Sequence, residues 1–134
     1  MAPDEGTTEE PLIPAALEGA LPAGATVLVD TSALIAYLST PDATTPVIAR
    51  ILDEFVRSGR NRALISSISA CEVLVRPIQA AAHGVEQRVL EFLREFPNAE
   101  LVPVDLAVAR AAARLRAAHR VATPDALVIA CGLA

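Results

Sequence analysis

The chain has 134 residues, enough for one domain with a sizeable core, and its 53% hydrophobic and 20% charged content excludes a disordered chain. The net charge of −5 is uneven: Asp4, Glu5, Glu9, Glu10 and Glu18 lie in the first 24 residues, leaving 11 acids against 11 arginines beyond. With 3% aromatic residues, base stacking on an aromatic platform is excluded as the main mode of nucleic-acid binding.

Residues 1–24 are acidic and rich in Pro and Gly, and read as a flexible arm whose apolar middle, Leu12 to Leu21, can dock on the body or on another chain. This start is the reverse of a signal peptide, and no apolar run reaches the ~20 residues of a membrane helix. The expected compartment is therefore the cytoplasm, with Cys71 and Cys131 as free buried thiols. A domain is expected over residues 25–134.

ATVLV, residues 25 to 29, is short, apolar and non-alternating, which suits a strand buried on both faces. Asp30 follows, and Thr31 or Ser32 can cap a helix reaching Leu38. The next helix is expected to take Thr45 as its N-cap and Pro46 in its first turn, and to close at Gly59. Residues 63–66 read as a second strand, and SISACEVLVRPIQAA as a helix that Pro77 kinks or ends. GVEQRVLEFLREF is amphipathic, AELVPV is a third strand, and Asp105 opens an Ala-rich helix. Thr123 and Pro124 start a last helix. Strands alternating with helices predict a three-layer α/β/α fold around a central, mostly parallel sheet. Ligands of such folds bind beyond the carboxyl ends of the strands.

Three acids stand in apolar surroundings: Asp30 after the first strand, Glu72 early in the helix after the second, and Asp125 in the first turn of the last helix. Each has a structural explanation. A first-turn acid gains up to ~1 kcal/mol from the helix dipole. A buried Glu72 needs a partner, either an arginine such as Arg76 at i,i+4 or a cation. Together the three would converge at one sheet edge, where carboxylate repulsion calls for a hard divalent cation, Mg²⁺ or Mn²⁺. Such an ion does phosphoryl chemistry.

VLVDTSALIAYL, SSISACEVL and ATPDALVIACGLA resemble the acid-bearing motifs of PIN-domain ribonucleases, most closely the VapC-type toxins of bacterial toxin–antitoxin pairs. The resemblance runs in order over residues 26–134. It implies a Mg²⁺- or Mn²⁺-dependent endoribonuclease that hydrolyses single-stranded RNA and is neutralised by an antitoxin, commonly as a homodimer. It makes Asp30, Glu72 and Asp125 the catalytic metal ligands, with Thr31 or Ser32 positioning water or metal. It also implies a C-terminally incomplete domain. The family pattern continues through another strand, a fourth acid and a helix, whereas this sequence stops within the helix that bears Asp125.

Arg110, Arg114, Arg116 and Arg120 form two stripes on one helix, and Arg116 and Arg120 are candidate RNA contacts beside the TPDAL motif. The alternative for these arginines is a solvated helix face. His119 reads as a structural helix-end residue or a general base. Phospho-aspartyl phosphatases and response-regulator receivers share the strand–Asp–helix start but need a lysine, and the chain has none. The remaining rival is an inactive PIN-like module that binds a partner protein without cleaving RNA. The apolar faces of residues 46–58 and 84–96 would offer a groove for a partner helix, although core packing explains them more simply.

Overall fold

The computed structural model describes residues 12–133. In chain order the elements are α1 (Leu12–Ala20), β1 (Thr26–Val29), α2 (Thr31–Leu38), α3 (Thr45–Arg50), a π-helical segment (Ile51–Val56), β2 (Arg62–Ser66), α4 (Ser67–Gln79), α5 (His83–Glu95), β3 (Ala99–Val102), α6 (Leu106–Ala118) and α7 (Thr123–Leu133). The described strands form one sheet in the order β1-β2-β3, all parallel, with Val29 level with Ile65 and Ser66 level with Val102. This is the expected three-layer α/β/α arrangement.

The period-2 geometry of β1 divides its side chains between two cores. Val27 and Val29 join a cluster with Leu34, Leu52, Val56, Ile65, Val73 and Phe92, drawn from α2, the π-helical segment, β2, α4 and α5. Leu28 points the other way, onto α7, where a side chain at Gly132 would meet it at 3.6 Å. The second core, Val108, Ala112, Ala126, Ala130 and Cys131, lies between α6 and α7. Small residues dominate that interface, so the two helices approach closely.

Several boundaries move by local chemistry. Thr44, not Thr45, is the N-cap of α3. Thr45 Oγ1 instead donates to the Ala36 carbonyl at 2.9 Å and accepts the Asp42 amide at 2.9 Å. Pro77 neither ends nor breaks α4, which continues to Gln79. Pro77 has no N–H to give the Val73 carbonyl, and the helix runs only two residues beyond it. β3 stops at Val102, before Pro103, which cannot donate to a strand ladder. Gly59 turns the chain with φ +86°, as the end of the α3 and π-helical run requires.

Residues 12–20 of the acidic arm are helical, and the link from α1 to β1 is hydrogen-bonded to the body. Asn61, 1% exposed, donates through Nδ2 to the carbonyls of Pro22 and Ala25, both at 2.9 Å. The Arg60 guanidinium donates to the Leu21 carbonyl at 2.7 Å. The expectation that residues 1–11 are a flexible arm lies outside the described residues. Cys131 is buried as expected, but Cys71 is exposed, because it lies on the outer face of α4.

Tyr37 links α2 to its neighbours. Its ring lies 5.5 Å from that of Phe92 and 6.5 Å from that of Phe96, and its hydroxyl donates to Asp53 Oδ1 at 2.5 Å. Partial burial, and then the Asp53 carboxylate, push its pKa up to about 12. A raised folded-state pKa means that the bond's contribution is fully present below the unfolded value of 10.0 and is lost as pH rises through about 12. Denaturation with urea at pH 8 and pH 11.5 is expected to show a loss of stability in the native protein that Tyr37→Phe reduces. Equal pH dependence in both proteins would contradict this account.

Candidate active site

The site is built from the ends of β1 and β2. Parallel register brings Asp30 level with Ser66, and a helix begins at each point. Asp30 takes extended backbone (φ −88°, ψ 178°) and is itself the N-cap of α2, its Oδ1 accepting the Ala33 amide at 3.0 Å. The expectation that Thr31 or Ser32 does the capping is therefore incorrect. Both hydroxyls are freed for other partners, and Asp30 keeps its second carboxylate oxygen available. Ser66 caps α4 in the same manner, accepting from the Ile68 amide at 3.1 Å.

Glu72 stands on the exposed face of α4, not in a buried setting. Its partner is Thr31, whose Oγ1 donates to Glu72 Oε1 at 2.5 Å, 41 residues away in sequence. Neither a buried cation nor an Arg76 salt bridge is needed to explain it. The buried face of α4 carries Ser69, Ala70, Val73 and Pro77, so position 72 points outward. Asp125 occupies the exposed first turn of α7.

A cleft of about 470 Å³ brings these groups together, lined by Leu28, Asp30, Thr31, Ser32, Glu72, Val121, Asp125, Val128 and Ile129. All three acids and both hydroxyls singled out in the sequence thus face one cavity at the carboxyl end of β1. Its apolar walls are the part that the sequence reading missed. Leu28 was detectable from strand alternation. Val128 and Ile129 were hidden in an apolar helix with no evident face. Arg116 does not line the cleft. Its Nε donates to the Val121 carbonyl at 3.0 Å, fastening the turn from α6 to α7 just ahead of Asp125. Arg120 is exposed on the same turn.

The PIN-domain family profile matches residues 27–134, which is most of the chain and includes all three acids. The chain belongs to the PIN-domain family. No curated protein and no solved structure matches it. PIN domains are nuclease-like, typically metal-dependent, and act on RNA. No helix among the described residues is long and apolar enough to cross a membrane.

The donors in this PIN-domain cleft suit a hard divalent cation, since carboxylates and hydroxyls offer only oxygen. Among the described residues, no three His, Cys, Asp or Glu side chains stand close enough to hold a metal by themselves. The three acids therefore share the cleft without forming a ready-made three-carboxylate ligand set. A hard cation in such a cleft would take one or two carboxylates directly and keep several waters.

The Thr31–Glu72 bond links α2 to α4 across the cleft mouth. Thr31→Val is expected to cost about 1 kcal/mol in urea denaturation, with an unchanged m-value, and Thr31→Ser about half as much or less. Equal losses for Val and Ser would assign the effect to packing.

Proposed function

We propose that this PIN domain is a metal-dependent endoribonuclease that hydrolyses phosphodiester bonds of single-stranded RNA. The observation that carries this reading is the convergence of Asp30, Glu72 and Asp125 on one open cleft beyond β1. Asp30, Glu72 and Asp125 would hold Mg²⁺ or Mn²⁺, directly or through water. When bound, the ion supplies charge neutralisation and Lewis acidity at the scissile phosphate.

The chain's own residues have separable tasks. Asp30 uses one oxygen to fix the start of α2 and offers the other to the cleft. Thr31 aims Glu72 through its hydroxyl, and Ser32 adds an exposed hydroxyl that orients water. Asp125 closes the opposite wall, on a turn fastened by Arg116. The remaining Arg116 N–H groups and Arg120 would meet phosphates entering beside that turn. A finer reading rests on the three motif segments and their resemblance to VapC-type toxins. On that reading the protein acts in the cytoplasm as a homodimeric toxin restrained by a cognate antitoxin.

Asparagine caps helices as well as aspartate does, so Asp30→Asn keeps the fold and removes the charge. Calorimetry with Mn²⁺ on the wild type, Asp30→Asn, Glu72→Gln and Asp125→Asn is expected to show weaker binding in each variant. Hydrolysis of a single-stranded RNA should fall about 100-fold or more with Asp30→Asn. Unchanged Mn²⁺ binding in all three variants would refute the metal site. Mn²⁺ binding without hydrolysis by the wild type would favour a PIN-like module that binds a partner protein.

A further inference from the structure

A second groove, of about 400 Å³, lies between α6 and the C-terminal end of α7, with Arg110, Arg114 and His119 around Ala111, Leu115 and Leu133. From residue 106 to 124 the chain carries four arginines and no acid, in a protein whose overall charge is −5. Arg110 and Arg114 lie one helical turn apart and are both exposed. The groove and the cleft are neighbours along the chain: His119 lines the groove, Val121 lines the cleft, and one short turn separates them.

Charge decides what this surface suits. The cleft itself is lined by three acids and gives a polyanion little attraction before a cation binds. The attraction must come from elsewhere, and α6 carries it. We propose that Arg110 and Arg114 form a phosphate track that holds the backbone of a single-stranded RNA leading into the cleft. The proposal rests on the ribonuclease reading and adds where the substrate lies beyond the scissile bond. Arg110 and Ala118 are about 12 Å apart at 1.5 Å per residue, the length of about four stacked nucleotides at ~3.4 Å each. Neutralising two phosphates of a single strand contributes about 1.4 to the slope of log affinity against log salt.

The test measures binding of a labelled 12-nucleotide single-stranded RNA in EDTA, across a salt series, with the full chain. Arg110→Gln/Arg114→Gln is expected to weaken binding of the 12-mer about tenfold and flatten its salt slope by about 1.4. Arg110→Lys/Arg114→Lys should restore most of the affinity. Arg88→Gln/Arg94→Gln removes the same charge from exposed sites on α5 and should cost less than threefold. Equal losses from the α5 and α6 glutamine pairs, or no loss from the α6 pair, would overturn the track while leaving the ribonuclease reading intact if the wild type cleaves RNA. A wild type that does not bind the 12-mer would overturn the track, whereas a wild type that does not hydrolyse RNA with Mn²⁺ would overturn the ribonuclease reading. Competition by polyglutamate that equals RNA mole for mole and is lost in the α6 glutamine pair would make the groove a protein dock and overturn the RNA assignment.

Discussion

The parallel pairing of β1 with β2 is the constraint on which the site depends. Register alone, Val29 opposite Ile65, sets Asp30 and Ser66 level at the same sheet end. Each then starts a helix with its own side chain as the cap. A slip of one residue would turn Val29 and Leu28 to the wrong cores and move Asp30 off the cleft. The buried cluster of Val29, Leu34, Leu52 and Ile65 opposes that slip, so the packing of the core and the position of the carboxylate are one problem.

From that constraint the remaining acids are placed by their helices. α4 leaves β2 without a loop and presents Glu72 within two turns, where Thr31 can reach it. Asp125 arrives by a longer route. α7 packs on the other face of the sheet, against Leu28 and α6, and its first turn is set by the Arg116 bond to the Val121 carbonyl. Asp30 is therefore fixed by the sheet, Glu72 by a single hydrogen bond, and Asp125 by helix packing and a fastened turn. That order suggests where mutations distant from the cleft would act on it. The α6–α7 interface is built largely from alanines, so enlarging one of them would displace Asp125 before it disturbed Asp30.

The sheet, its direction and the three acids were legible in the sequence, because short non-alternating apolar runs and acids at helix starts are local signals. The phase of α4 was not. Val75 is 43% exposed and Ile78 56% exposed, so the helix carries apolar residues on its outer face, and Glu72 could not be told from a buried acid by pattern. The same ambiguity concealed the exposure of Cys71. The cap was misassigned because Asp, Thr and Ser stand consecutively and are all competent, so only backbone geometry at Asp30 decides between them. Arg116 read as a free cation because a side chain that bonds a carbonyl five residues on leaves no mark in composition or spacing.

The central claim is that Asp30, Glu72 and Asp125 act on one cation. Anomalous diffraction from crystals soaked in Mn²⁺ tests it directly. The account predicts a single strong peak in the cleft, within direct or water-bridged reach of all three carboxylates, that disappears in Asp30→Asn. A peak elsewhere on the surface, or one in the cleft that persists unchanged in Asp30→Asn, would contradict it.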